Sequence, residues 1–182
     1  MKKLQSNLVN MFLVLTVIAL LSAGALAATY GWTAPILEEQ ARQRQIAAIA
    51  EVIPPFDNAP NEEVQIAGEH EDIRIFPGRN QGNSVGAAVQ LTTNAGYGGP
   101  IDVMVGFAPD GTVTGITILR HQETPGLGAR ITDSAFRDQY TGQVLSADFE
   151  VDSITAATIS SRAVTGAVIH AWRVARSTGS VQ

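Results

Sequence analysis

From Leu8 to Ala28 the chain carries no charged residue and is built mainly of Leu, Val, Ile and Ala. At about 1.5 Å per helical residue, a run of roughly twenty such residues matches the hydrocarbon thickness of a bilayer, so it predicts one membrane-spanning helix. Lys2 and Lys3 precede the run, Tyr30 and Trp32 follow it as interfacial aromatics, and Glu38 and Glu39 come next. By the positive-inside rule, this order expects the N-terminus in the cytoplasm and everything beyond Tyr30 on the other side. Ala25-Leu26-Ala27 behind a basic start also fits a cleaved signal peptide, but the run is longer than a signal core, which favours a retained anchor. Both readings export the remainder.

The 182 residues allow one ordinary domain besides that segment. The net charge of −5 leaves no basic stripe to displace counterions from a phosphate backbone, so no nucleic-acid partner is expected. The chain has no cysteine, which excludes disulfides, thiolate metal sites and cysteine-held iron–sulfur clusters. Redox chemistry would therefore need a bound organic cofactor. His70, His121 and His170 lie far apart without metal-ligand spacing, and no metal site is expected.

Apolar positions from Ile36 to Ile53 recur at three and four residues until Pro54-Pro55, predicting a juxtamembrane helix. Residues 54 to 82 read as a connector with one short strand at Ile73 to Phe76. Val85 to Thr92 reads as a strand, followed by a glycine-rich loop over Asn94 to Pro100. Ile101, Val103, Val105 and Phe107 alternate; Pro109-Asp110-Gly111 turns the chain; Val113 to Leu119 returns it. The apolar register slips at Gly115, which predicts a bulge. Asp133 or Ser134 is expected to cap a short helix through Tyr140, and Asp148 to Ile154 to form another strand. Val164, Ala167, Val168, Ala171, Val174 and Ala175 place one apolar face on a C-terminal helix over residues 161 to 176. The expected class is α+β with a mainly antiparallel sheet. Its expected divisions are an anchor over 1–33, a juxtamembrane helix and connector over 34–84, and one domain over 85–182.

Between the expected strand and the last helix stands a cluster of small and hydroxyl residues, Asp152-Ser153-Ile154-Thr155-Ala156-Ala157-Thr158-Ile159-Ser160-Ser161. Unpaired N–H groups and the dipole make a helix N-terminus an anion site, to which Arg162 could add a charge-assisted bond. The competing reading is plain helix capping by Ser160 or Ser161.

The stretch Asp152 to Thr158 resembles the flavinylation motif, Asp-x-x-(Ser/Thr)-Gly-Ala-Thr, of the FMN-binding domain family. That family includes the G subunit of Rnf complexes and the C subunit of the sodium-pumping NADH:quinone oxidoreductase. The resemblance implies covalent FMN, joined through its phosphate to Thr158 by a separate flavin transferase. By the same resemblance Asp152 and Thr155 are read by the transferase, and Ala157 leaves the hydroxyl uncrowded. The motif's usual glycine is Ala156 here; if that position needs φ > 0, its Cβ costs on the order of 1 kcal/mol.

A second likeness lies in Gly98-Gly99-Pro100-Ile101 and in His121-Gln122-Glu123-Thr124-Pro125-Gly126-Leu127-Gly128. It implies that Gly126 and Gly128 let backbone approach a flat ring, that Leu127 covers its face, and that Glu123 and Thr124 bond its polar edge. The implied protein is a flavoprotein electron carrier of an Rnf-type ion-translocating complex in the bacterial inner membrane. Its domain would face the periplasm or exterior, and its partners would be the other membrane and redox subunits. The shorter connector favours this reading over the C subunit of the sodium-pumping quinone oxidoreductase. That C subunit is nevertheless the nearest alternative, and a flavin-free exported binding or scaffold module is a second.

Overall fold

The computed structural model describes residues 8–67 and 73–181; Lys2, Lys3 and His70 lie outside them. Helix α1 (Leu8–Val52) is followed by strands β1 (Gln65–Ile66), β2 (Arg74–Asn80), β3 (Asn83–Thr93), β4 (Ile101–Phe107) and β5 (Val113–Arg120). A 3-10 turn at Gly128–Thr132, a short helix α2 (Ser134–Arg137) with a second 3-10 turn at Asp138–Tyr140, and helix α3 (Thr158–Ser177) complete the chain. It divides into two compact units, Met1–Arg44 and Gln45–Gln182.

The first unit is helical wherever it is described. Leu13, Leu15, Leu20, Leu21 and Leu26 are all exposed, and the helix contains a window of mean hydropathy 2.4. It is long and apolar enough to cross a membrane. Within it, Thr29 Oγ1 donates to the Ala25 carbonyl at 2.9 Å and Thr33 Oγ1 to the Thr29 carbonyl at 3.0 Å. Both hydroxyls are thereby satisfied by the helix itself. The expected juxtamembrane helix is not a separate element but the continuation of α1. Pro35 sits inside the helix. Its ring costs one backbone bond, and the helix-forming residues on either side carry the chain through.

The second unit is a sheet with a helix on each face. The strand order is β1-β2-β3-β4-β5, with every pair antiparallel, so each strand pairs only with its sequence neighbours. Alternation sends Ile75, Val89, Val103, Val105 and Phe107 to one face, where Val164, Ala167, Val168 and Ala171 of α3 cover them. Phe76, Ala88 and Met104 point to the other face and meet Ala48, Ile49, Val52 and Ile53 at the end of α1. Fully burying each such large side chain contributes about 1.5–3 kcal/mol. The second contact is close: a Cβ on Gly106 would lie 1.9 Å from the Val52 carbonyl oxygen, so only glycine admits the helix there. Gly115, opposite Gly106 in the register, would place its Cβ 3.5 Å from Val52 Cα.

The expected register slip is present: Gly106 pairs with Gly115 but Phe107 pairs with Val113, leaving Thr114 as the extra residue of a bulge. The Thr114 hydroxyl donates to the Val52 carbonyl. Residues read as connector supply β1 and β2, and the boundary expected at residue 85 falls inside β3. The strand expected at Ile73 to Phe76 runs instead from Arg74 to Asn80, across Pro77 and Gly78.

Two further expectations are corrected. Asp148 to Ile154 forms no strand. Gln139 takes the place of a neighbouring strand there, donating from Nε2 to the Asp152 carbonyl at 3.3 Å and accepting the Asp152 N–H at 2.8 Å. Asp133 stands at the N-cap of α2 but makes no capping bond with its side chain, which faces Arg130 Nε at 3.4 Å.

Candidate functional site

Helix α3 begins at Thr158, three residues before the expected start, so the hydroxyl cluster forms its first turn. The first helical bond runs from the Ser161 N–H to the Ala157 carbonyl at 3.0 Å. The amides of Thr158, Ile159 and Ser160 therefore lack a carbonyl partner within the helix. Neither serine caps the helix in the expected way. The N-cap is Ala157, without a side-chain bond. Ser161 is buried and ties the preceding turn, accepting the Ile154 N–H at 3.0 Å and donating to the Ala157 carbonyl at 3.0 Å. Within that turn Ala156 has φ 65, so the position where the motif carries glycine does require the left-handed region.

Ser160 turns the other way. Its Oγ donates to Glu123 Oε2 at 2.7 Å, and the Gly98 N–H donates to Glu123 Oε1 at 3.1 Å. Glu123 is only 4% exposed. Its own N–H donates to His121 Nδ1 at 3.2 Å. The loop continues as a tight turn in which the N–H groups of Leu127 and Ala129 both reach the Thr124 carbonyl, at 3.2 and 3.1 Å. Gly126 opens that turn at φ 76.

These three pieces, the glycine loop, the loop after β5 and the start of α3, enclose a cavity of about 540 Å³. Its wall contains Glu123, Thr124, Leu127, Gly128, Ala157, Thr158 and Ser160, all seven expected from the sequence. It also contains Tyr97, Ala156 and Ile159, which the sequence reading did not count as site residues. Tyr97 is 70% exposed, Ile159 54% and Leu127 46%. An aromatic set between glycines, and an isoleucine exposed on the first turn of a helix, are the signals that could have found the first and last of these.

Three expected residues stand elsewhere. Gly126 shapes the loop without lining the cavity. Thr155 opens onto a different hollow, with Arg130, Asp133 and Gln139. Arg162 lines a third, beside Phe149, Glu150 and Thr165.

The cavity lies within the size range of cofactor sites, and its exposed rim of Tyr97, Leu127 and Ile159 suits the faces of a planar ring. The helix amides beside Thr158 suit an anionic tail. These features fit FMN. They define a flavin-binding domain, and residues 96–173 match the family model of the FMN-binding domain. The chain is 35% identical over 178 residues to the G subunit of the Na(+)-translocating ferredoxin:NAD(+) oxidoreductase complex of Acetobacterium woodii, with 86% of each chain covered. It is 32% identical over 177 residues to the G subunit of the ion-translocating oxidoreductase complex of Pseudoalteromonas atlantica, with 86% of this chain and 82% of that one covered. The chain belongs to the G-subunit family of ion-translocating oxidoreductase complexes. Its fold is also that of the C subunit of the Na(+)-translocating NADH-quinone reductase from Parabacteroides distasonis, with a TM-score of 0.56 at 19% identity over 79% of this chain and 92% of that one.

Proposed function

We propose that this protein is the membrane-anchored flavoprotein of an Rnf-type complex, carrying FMN as a phosphoester on Thr158 and relaying electrons between partner subunits. The observation that supports attachment is the position of Thr158: the exposed first residue of α3, on the cavity wall, beside amides without helical partners. In the attachment step, the Thr158 hydroxyl oxygen bonds to the FMN phosphorus of FAD and the pyrophosphate link breaks. AMP leaves, and the hydroxyl proton passes to solvent. The catalyst is the flavin transferase, and Thr158 is the acceptor.

Bound FMN supplies reversible electron transfer, and the chain supplies its setting. Tyr97, Leu127 and Ile159 would shield the ring faces, the helix amides would neutralise the phosphate, and Thr124 would bond the ring edge. The protein has no complete active site of its own, because its sequence resembles neither a nicotinamide fingerprint nor an ion path; those belong to partner subunits.

Helix α1 is read as a single inner-membrane anchor with the N-terminus inside and the flavin domain on the periplasmic or outer side. The exposed Tyr30 and Trp32 suit an interface at the end of the apolar run, and Lys2 and Lys3 in the sequence before it support the orientation. A reporter fused after Gln182 is expected to be active only outside the cytoplasm, and cytoplasmic activity would reverse the topology. Coexpression with a flavin transferase tests the attachment. The intact mass is expected to rise by one esterified FMN, and an unchanged mass would remove the covalent reading.

A further inference from the structure

The carboxylate of Glu123 lies against the cavity, yet both of its oxygens are already engaged by the protein: Oε2 by the Ser160 hydroxyl at 2.7 Å and Oε1 by the Gly98 N–H at 3.1 Å. Among the described residues no cation lies within ion-pair distance of it, and these two neutral donors are its partners there. The glycines around it are shaped to this carboxylate. A Cβ on Gly96 would lie 2.6 Å from Oε1, besides 2.3 Å from the Gly99 carbonyl oxygen. A Cβ on Gly128 would lie 2.5 Å from Oε2 and 2.8 Å from Ser160 Oγ. One side chain thus joins the glycine loop before β4, the loop after β5 and the first turn of α3.

We propose that Glu123 is a positioning residue: through Ser160 it latches the first turn of α3 to the glycine loop, and so holds the Thr158 hydroxyl in the geometry that flavin attachment requires. This inference rests on the attachment reading above. It also reassigns Glu123, which the sequence reading expected to bond the flavin edge. A carboxylate whose two oxygens accept bonds from opposite walls of a cavity serves the walls. Thr158 stands two residues before Ser160 on the same helical turn, so the anchor of Ser160 is also the anchor of the acceptor. Charge-assisted bonds in a buried setting are short and directional, which suits holding one turn in one place.

The test uses full-length, unlabelled protein in detergent with FAD and a flavin transferase, comparing the parent with Ser160→Ala, Glu123→Ala and Glu123→Gln. Attachment is followed by intact mass, and exchange of the Gly98 amide is measured before labelling. Ser160→Ala and Glu123→Ala are expected to lose about tenfold or more in kcat for attachment, because a displaced nucleophile forfeits its alignment. The KM for the acceptor protein is expected to stay within about twofold, since the motif exposed to the transferase is unchanged. The Gly98 amide exchanges faster in both. Glu123→Gln is expected to restore attachment and protection: its carbonyl accepts from Gly98, and its amide donates to Ser160 Oγ.

If Glu123→Ala does not fold, Ser160→Ala decides the matter, because it removes a single hydroxyl. A labelled parent together with a Ser160→Ala protein labelled at the parental kcat would overturn the latch alone. A parent that is never labelled would overturn the attachment reading and the latch with it.

Discussion

Arg137 Nη1 lies 2.6 Å from Glu51 Oε1, joining α2 to the last turn of α1 across 86 positions of sequence. The same nitrogen donates to the Ile116 carbonyl and to Thr117 Oγ1, each at 3.3 Å. Glu51 is about half exposed, so the ion pair itself adds little, and the weight falls on the bonds to β5. Arg137→Met is expected to cost about 1–2 kcal/mol, and Glu51→Gln under about 1 kcal/mol. Urea unfolding of both variants in detergent measures the difference, and equal losses would place the weight on the ion pair instead.

Ala156→Gly is expected to stabilise the domain or leave it unchanged. The left-handed conformation at φ 65 costs a residue with a Cβ about 1–2 kcal/mol. Glycine removes that cost but adds about 0.4–1 kcal/mol of unfolded-state entropy. The net gain is between zero and about 1.6 kcal/mol, read as a rise in Tm of the unlabelled protein. A clear loss of stability would mean that the Ala156 methyl packs against something that outweighs its strain.

Thr158→Val is expected to abolish covalent flavin while keeping the fold. Valine matches the shape of threonine without the hydroxyl, and the buried bonds of Ser160 and Ser161 remain. Denaturing gels viewed under ultraviolet light are expected to show a fluorescent band for the parent and none for the variant, with circular dichroism reporting the fold. Thr155→Val keeps the acceptor and retains the band. Fluorescence in Thr158→Val would move the acceptor to another residue.

Tyr140 makes the domain sensitive to alkali. Its ring is fully buried against Phe136 and Phe149, and its hydroxyl shares a 2.8 Å bond with Thr165 Oγ1. Burial raises its pKa well above the ordinary value of 10.0, the Thr165 bond opposing this only in part. The neutral phenol is the form the fold accepts. Stability from this group is therefore complete below about pH 10 and is lost as the pH rises from there toward the folded-state pKa. Tyr140→Phe is expected to lose about 1 kcal/mol at neutral pH and to show a shallower decline above about pH 10. Unfolding at several pH values checks the slope, and parallel curves would clear Tyr140 of the effect.

The hairpin of β4 and β5 and the helix α3 were legible because their information is local: alternation around Pro109-Asp110-Gly111 in one case, spacing of three and four in the other. Strand β2 was read short because Pro77 and Gly78 look like punctuation, and only pairing with β3 carries the strand through them. Residues 148 to 154 misled in the opposite direction. Their apolar spacing suits a strand, but the groups that satisfy Asp152 come from the Gln139 side chain. At the site, most of the wall was legible from the two motif-like segments. The engagement of Glu123 was not, since it depends on Ser160 lying 37 residues away and on glycines whose missing side chains leave room for a carboxylate.

The neighbour-to-neighbour order of the sheet bears on when the acceptor comes into existence. A meander of hairpins is assembled from contacts close in sequence and needs no long crossover. The cavity wall differs: it is complete only when α3 closes back on the loop after β5. Thr158 therefore has its full surroundings only in the folded domain. A transferase that responds to those surroundings would label folded domains and pass over unfolded ones.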